Sequence, residues 1–206
     1  MKKITFILFY VLCLSGISFA QQFTIKKGSE LIYGVRSGNN NYTLTVKVKS
    51  IDTLTFVFDM SAPANKKGIV TIPPGAMDTA TRLVNYFANG EMKLTDATAI
   101  WVSNTIYKLA CEPGIKPTIK IRIDTARQYT VFGMLVPQME DLIINGKVVK
   151  MKVTEMVEAY WDEKLQDRVE GKRITILQNS KNPLIISMNI GFEVALKEAK
   201  KVDLVE

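Results

Sequence analysis

Acidic side chains are the first place to look for chemistry in this chain. Glu140 and Asp141 are adjacent, and Glu155, Glu158, Asp162 and Glu163 fall within one short stretch. A glycoside hydrolase sets two carboxylates about 5 to 10 Å apart across a cleft, one to give a proton and one to attack or to activate water. Sequence fixes no such distance, and a solvated surface is the simpler reading of these acids. Carboxylate-dependent glycan hydrolysis stands as a minor alternative. No run of alternating acidic residues surrounds a glycine as a calcium loop does.

Composition closes the other familiar routes. The chain has no histidine. That removes imidazole as metal ligand and general base, and with it any Ser-His-Asp or Cys-His arrangement. A Gly-x-Ser-x-Gly elbow, a Ser-x-x-Lys motif and a Gly-rich phosphate loop are all missing. No catalytic residue, metal site or cofactor is assigned, and the chain is expected not to be an enzyme. Of its two cysteines, Cys13 lies in an apolar leader and follows Leu12, where lipid attachment wants a small residue. Cys111 then has no partner for an internal disulfide, so stability must come from the core. It reads as a buried apolar filler, with an exposed thiol or an intermolecular partner as the alternative.

Large amphipathic side chains are the better candidates for binding. Tyr86, Phe87, Trp101, Tyr107 and Trp161, the last beside Tyr160, could line a groove for an apolar or glycan ligand. The alternative is that they fill the core and cap sheet edges. Met134, Met139, Met151, Met156 and Met188 suit an adaptable apolar cavity, and equally suit ordinary gap-filling.

These side chains need elements to position them, and strands dominate. Thr43 to Lys49 alternates without error, with Leu44, Val46 and Val48 on one face and Thr and Lys on the other. Thr118–Ile123, Arg173–Ile176 and Phe192–Lys197 read alike. Thr53–Phe58 begins as an alternation and ends as an apolar run; Glu30–Val35 and Lys67–Ile72 are shorter candidates. Gly38-Asn39-Asn40-Asn41, Asn145-Gly146 and Asn179 to Pro183 supply hairpin turns, Asn145-Gly146 being the strongest signal. Such short connections favour antiparallel neighbours. In the middle, Asp78 to Val84 predicts a short helix reaching Tyr86 or Phe87, with Asp78 in its first turn. Trp101-Val102 closes a strand before Ser103, an N-cap for a helix over Asn104 to Ala110 that Pro113-Gly114 ends. Ile106, Leu109 and Ala110 share one face of it. Glu158 to Glu170 reads as a strand running into an exposed loop. The expected class is mainly β (α+β): one large curved antiparallel sheet of about eight to ten strands, forming a half-barrel or barrel, with one or two short inserted helices.

The address is written in the first twenty residues. Lys2 and Lys3 precede an apolar stretch from Ile4 to Leu14, and Ser18-Phe19-Ala20 is a small-x-small cleavage site before Gln21. The stretch is too short to span a membrane, and nothing later is long and apolar enough. Residues 1–20 are thus expected to be a signal peptide, and 21–206 one exported β-rich domain in the periplasm or at the outer surface. The chain carries 27 Lys and Arg against 20 Asp and Glu; without Lys2 and Lys3 the balance is 25 to 20, a net +5. Those cations are scattered along strand-like segments, and no stacking pattern of aromatics and arginines accompanies them, so nucleic acid is not expected as a partner.

Gly28-Ser29-Glu30-Leu31-Ile32-Tyr33, Leu94-Thr95-Asp96, Trp101-Val102-Ser103, Asn182-Pro183-Leu184-Ile185-Ile186 and Phe192 to Leu196 resemble segments of exported half-barrel domains of unknown function from Gram-negative bacteria, related in architecture to lipoprotein carriers. The resemblance implies a half-barrel and an envelope location, and it brings no catalytic residues. Asp52-Thr53-Leu54, Asp78-Thr79-Ala80 and Asp124-Thr125-Ala126 also look like the acceptor pattern of a bacterial O-glycosylation system, although Asp and Thr at turns are equally expected from local hydrogen bonding. The function expected is that of a non-enzymatic envelope protein holding an apolar or amphipathic ligand, of lipid or lipoprotein type, in its half-barrel. The alternative is a structural module that binds an envelope protein partner.

Overall fold

The computed structural model of the chain describes residues 22–112, 118–124, 126–162 and 167–205; for Met134, 159–162 and 167–170 it describes the backbone alone. The expected signal peptide, Cys13, Pro113-Gly114, Thr125 and Glu163 lie outside the described residues. The first half runs β1 (Gln22–Thr24), β2 (Glu30–Ser37), β3 (Asn40–Ser50), β4 (Leu54–Met60), β5 (Lys66–Ile72), α1 (Pro74–Thr79), β6 (Arg82–Leu83), β7 (Gly90–Lys93) and α2 (Asn104–Cys111). The second runs β8 (Ile119–Ile123), β9 (Thr130–Ile144), β10 (Lys147–Asp162), β11 (Asp167–Leu177), β12 (Ile185–Asn189), β13 (Glu193–Lys200) and β14 (Asp203–Val205).

The protein is mainly β, as its alternations predict. β2, β3 and β4 bury Leu31, Tyr33 and Val35, then Leu44, Val46 and Val48, then Leu54, Phe56, Phe58 and Met60. β8 and β13 do the same with Ile119 and Ile121, and with Val194 and Leu196. A twelve-stranded sheet has the order β6-β8-β9-β10-β11-β12-β13-β2-β3-β4-β5-β7, and β1 pairs with β14 apart from it. Most neighbours are antiparallel; β5–β7 and β6–β8 are parallel. The sheet curls until β9 meets β13 at Ile144 and Ala199, which closes β9 to β13 into a five-stranded barrel. Asn145 holds this seam. It and Gly146 both take positive φ, 50° and 77°, in a two-residue turn between Ile144 and Lys147, the geometry that an Asn-Gly hairpin favours. From that turn the Asn145 backbone N–H donates to the Ala199 carbonyl at 2.8 Å and its Nδ2 to the Val202 carbonyl at 2.9 Å.

Three expectations are corrected. The first helix is Pro74–Thr79, so Asp78 stands near its end and not in its first turn. Proline pre-sets φ for a first helical position, whereas Ala80 is already extended and the Val84 N–H donates to the Thr98 carbonyl at 2.8 Å. A ladder outside the segment thus outcompetes helix over 80–84. The main sheet has more strands than predicted, because β6 and β7 are too short to show a period and pair in parallel with strands distant in sequence. Glu158 to Glu170 contains the paired far ends of β10 and β11, with Trp161 opposite Arg168 and Asp162 opposite Asp167. The second helix matches its signal: Ser103 Oγ accepts from the Ile106 N–H at 3.2 Å, and Ile106 and Ala110 are buried.

β5 and β7 approach so closely that only glycine fits. A Cβ on Gly68 would stand 2.0 Å from the Gly90 carbonyl oxygen and 2.9 Å from the Phe58 ring. At the core, the fully buried Tyr33 phenol donates to the Ile185 carbonyl at 2.9 Å, and burial pushes its pKa well above the usual value. The neutral phenol is the folded form. Its contribution is complete below about pH 10 and is lost at higher pH, where the unfolded chain ionises first. Tyr33→Phe should cost about 1 kcal/mol at neutral pH. In urea titrations the gap between wild type and variant should shrink above about pH 10; a constant gap would count against this role.

Candidate functional site

Of the five aromatic residues that sequence groups together, the four whose side chains are described have different surroundings. Phe87 is 2% exposed and stacks on Phe58 at 4.9 Å between ring centroids, edge-on to Phe56 at 6.2 Å. Trp101, also 2% exposed, meets Phe56 at 5.6 Å. These two therefore belong to one aromatic cluster built on β4. Tyr86, its neighbour in the chain, lies at the surface instead. It is 61% exposed, with Lys66 Nζ 3.9 Å from its ring centroid. Tyr107 lies half-buried on α2, its hydroxyl pKa raised by burial and then by Cys111 and Glu112. The Trp161 side chain lies outside the described residues. No single groove gathers the four that are described.

The methionines whose side chains are described also differ in their surroundings. Met151, Met156 and Met188 are buried, Met139 is exposed, and the Met134 side chain lies outside the described residues. A cavity among Met60, Phe87, Ile100 and Met188 has a volume of about 20 Å³, room for roughly one water. Cys111 is half-buried against Thr154 Oγ1 at 3.6 Å, and burial pushes its thiol pKa up.

Trp101 borders a recess of about 240 Å³ on the surface. One wall is the turn between β3 and β4, with Ile51 and Asp52. The second is α1 with Pro74, Met77 and Asp78, next to Asn104 at the start of α2. The third is the loop of Ser180, Lys181, Asn182 and Pro183. Short bonds fix these walls. Asn104 Nδ2 donates to Asp78 Oδ1 at 2.8 Å, Thr105 Oγ1 to the Asp78 carbonyl at 2.9 Å, and Ser103 Oγ to the Ala80 carbonyl at 2.6 Å. The floor is held as firmly. The Val102 N–H donates to the Pro183 carbonyl at 3.0 Å, and the Ile185 N–H to the Ile100 carbonyl at 2.8 Å.

Two features of the recess go against the ordinary economy of folding. Ile100, just before Trp101, has φ of +66°. A β-branched residue there costs on the order of 1 to 3 kcal/mol and persists only where its surroundings over-determine it. Asn182 is 5% exposed, and its Nδ2 has no hydrogen-bond partner among the described residues. A buried donor left so costs about 1 to 3 kcal/mol. The recess thus combines an unused amide donor, two carboxylates, a lysine and an apolar border of Ile51, Pro74, Met77 and Pro183. That chemistry suits an amphipathic group. As a binding candidate, sequence pointed to Trp101 alone; Asn182 was visible as part of a turn and of a resemblance segment, and Asp52 and Asp78 as parts of Asp-Thr turns.

Of the acids on the long strands, Asp141 is exposed, as a solvated face predicts, whereas Glu140, Glu155 and Glu158 are partly buried. Glu140 on β9 is half-buried, and its pKa is raised by burial and by Glu155, against the hydrogen bond from Gln138. Glu155 pairs with Arg173 at 3.4 Å, and Glu158 with Lys172 at 3.7 Å. Among the described residues no three Cys, Asp or Glu stand together as a metal-binding group, and no helix is long and apolar enough to cross a membrane. Comparison with family models, with curated proteins and with solved structures finds no match for the chain.

Neighbouring aromatics with opposite surroundings should respond oppositely to truncation. Phe87→Ala is expected to lower stability by about 3 to 5 kcal/mol, and Tyr86→Ala by no more than about 0.5 kcal/mol. Guanidinium midpoints for the two variants measure this, and similar losses would contradict the assignment of one to the core and one to the surface.

Proposed function

We propose that this chain is an exported, non-enzymatic binding module of the cell envelope that takes an amphipathic group in the recess beside Trp101. The observation that carries the reading is the unpartnered, buried Asn182 amide in the wall of that recess. The Asn182 Nδ2 is closed to solvent in the free protein; on a small turn of the amide into the recess an acceptor oxygen on a ligand would supply its missing bond, while the ligand's apolar part would meet Ile51, Met77 and the two prolines. The lipoprotein-carrier likeness favours a ligand of lipid type, and the export signal read in residues 1–20 favours the envelope. The cavity among Met60, Phe87 and Met188 is too small for such a ligand, so the binding place moves from the interior of the half-barrel to its surface. At about 240 Å³ the recess is below the range of roughly 300 to 1,000 Å³ for pockets that enclose whole small molecules. It would take one end of a longer molecule: a carbonyl- or hydroxyl-bearing head and a short stretch of chain.

A second reading, a module that docks a protein partner, draws on one observation. Ile143 and Val148 face each other across β9 and β10, 43% and 71% exposed, with exposed Met139 farther along the same face beyond Asp141 and Lys150.

The test uses the chain's two tryptophans. Trp161→Phe leaves Trp101 as sole reporter. Octyl glucoside below its micellar concentration should shift the Trp101 emission saturably, and native mass spectrometry of the purified domain should show a lipid-sized adduct. Ile51→Arg, which fills the mouth from an exposed turn, should abolish both signals with the fold intact. Absence of both signals in the unblocked protein would rule the recess out as a ligand site.

A further inference from the structure

Arg82 and Arg122 are paired in register on the parallel strands β6 and β8, so their side chains leave the same face. Leu83 and Ile121 point the other way, into the core. Lys120 lies on the outward face, two residues before Arg122, and is exposed. Three cations thus share a small area of rigid sheet. The Arg122 N–H donates to the Thr81 carbonyl at 2.9 Å and the Asp124 N–H to the Leu83 carbonyl at 2.8 Å, which fixes the strands.

Among the described residues one carboxylate, Asp96, pairs with them. Arg82 reaches Asp96 through one terminal nitrogen, and the Asp96 carboxylate is largely in solvent. Asp124, at the end of β8, spends Oδ1 on the backbone N–H groups of Asn85 and Tyr86 at 2.8 and 3.3 Å. Among the described residues the Arg122 side chain makes no hydrogen bond and no ion pair; its guanidinium stands 5.6 Å from the centre of the Tyr129 ring. The Nε atoms of Arg82 and Arg122 are both shut off from solvent with no acceptor, so an anion can meet these side chains only through their terminal nitrogens. A guanidinium cannot shed its proton to relieve crowding, so this arrangement asks for an anion rich in acceptor oxygens.

We infer that Arg82 and Arg122, with Lys120 beside them, form a site for a phosphate-type oxyanion. A phosphate group offers three acceptor oxygens and close to two negative charges. Two arginine forks and an ammonium can use all of these, whereas a single carboxylate would leave donors unmet. The Tyr129 ring holds the Arg122 plane from one side. The site is separate from the recess beside Trp101, and it takes either a free phosphate ester or the headgroup of a phospholipid.

Thermal unfolding in inorganic phosphate, against sodium chloride at matched ionic strength, tests the site. Phosphate should raise Tm saturably. In Arg122→Gln the apparent affinity should fall about tenfold or more, while the variant without phosphate still unfolds cooperatively. Lys120→Glu, at an exposed position, provides the same readout if Arg122→Gln folds poorly. Glycerol 3-phosphate and phosphatidylglycerol vesicles identify the source: response to both indicates a phosphate ester, response to vesicles alone a membrane surface. A Tm rise no greater than in chloride, or an equal rise in both variants, would overturn the inference.

Discussion

A sheet curled this tightly has a concave face that something must fill, and the rest of the structure follows from how that is done. The filling comes from the chain between β5 and β8 together with the aromatic rings of β4. Leu83, Val84, Phe87, Leu94, Ala97, Ala99, Ile100, Trp101 and Val102 are all buried, though most belong to no long helix or strand. Irregular backbone inside a protein is tolerable only if its N–H and C=O groups find partners. Here they do so in pairs across the fold: Val84 with Thr98, Thr98 with Arg82, Leu94 with Thr71, and Val102 with Pro183. The stacked Phe58–Phe87 pair and the Phe56–Trp101 contact add the apolar weight. Barrel closure by Asn145 and the left-handed Ile100 are local geometries that this packed interior makes affordable.

How far the fold is legible in the sequence depends on whether a residue's partner is near or far. Leu44, Val46 and Val48, or Ile119 and Ile121, announce their burial through period two because one side of each strand meets water. Asn145-Gly146 announces its turn because the required φ values suit those two residues. Ser103 announces its helix through a hydroxyl positioned to cap it. The interior segment announces nothing. Ala97-Thr98-Ala99 has no period, because it is covered on all sides, and its small residues look like loop. The expected helix at Asp78 failed for a related reason: local propensity cannot see Thr98, which takes up the backbone of Arg82 and Val84.

The candidate site was harder to read than the fold. Trp101 stood out by size, but its neighbours across the recess come from three distant stretches, around 51, 78 and 181. Tyr86 and Phe87 were indistinguishable in sequence and opposite in space. Arg82 and Arg122 were two among many scattered cations until a two-residue parallel pairing, invisible to any periodicity, set them side by side.

Packing and polar satisfaction together decide where function can reside. The cavity among Met60, Phe87, Ile100 and Met188 has room for about one water, and Thr98 Oγ1 is buried in the packed core with no hydrogen-bond partner among the described residues. Asn182 and the arginine pair differ from it in position. Asn182 lines an accessible recess, and the outer strands that hold Arg82 and Arg122 turn those side chains away from the core. An unmet donor in the core reflects a compromise of packing that no ligand can relieve. An unmet donor at the wall of a rigid concavity is a free-energy deficit that a ligand can remove.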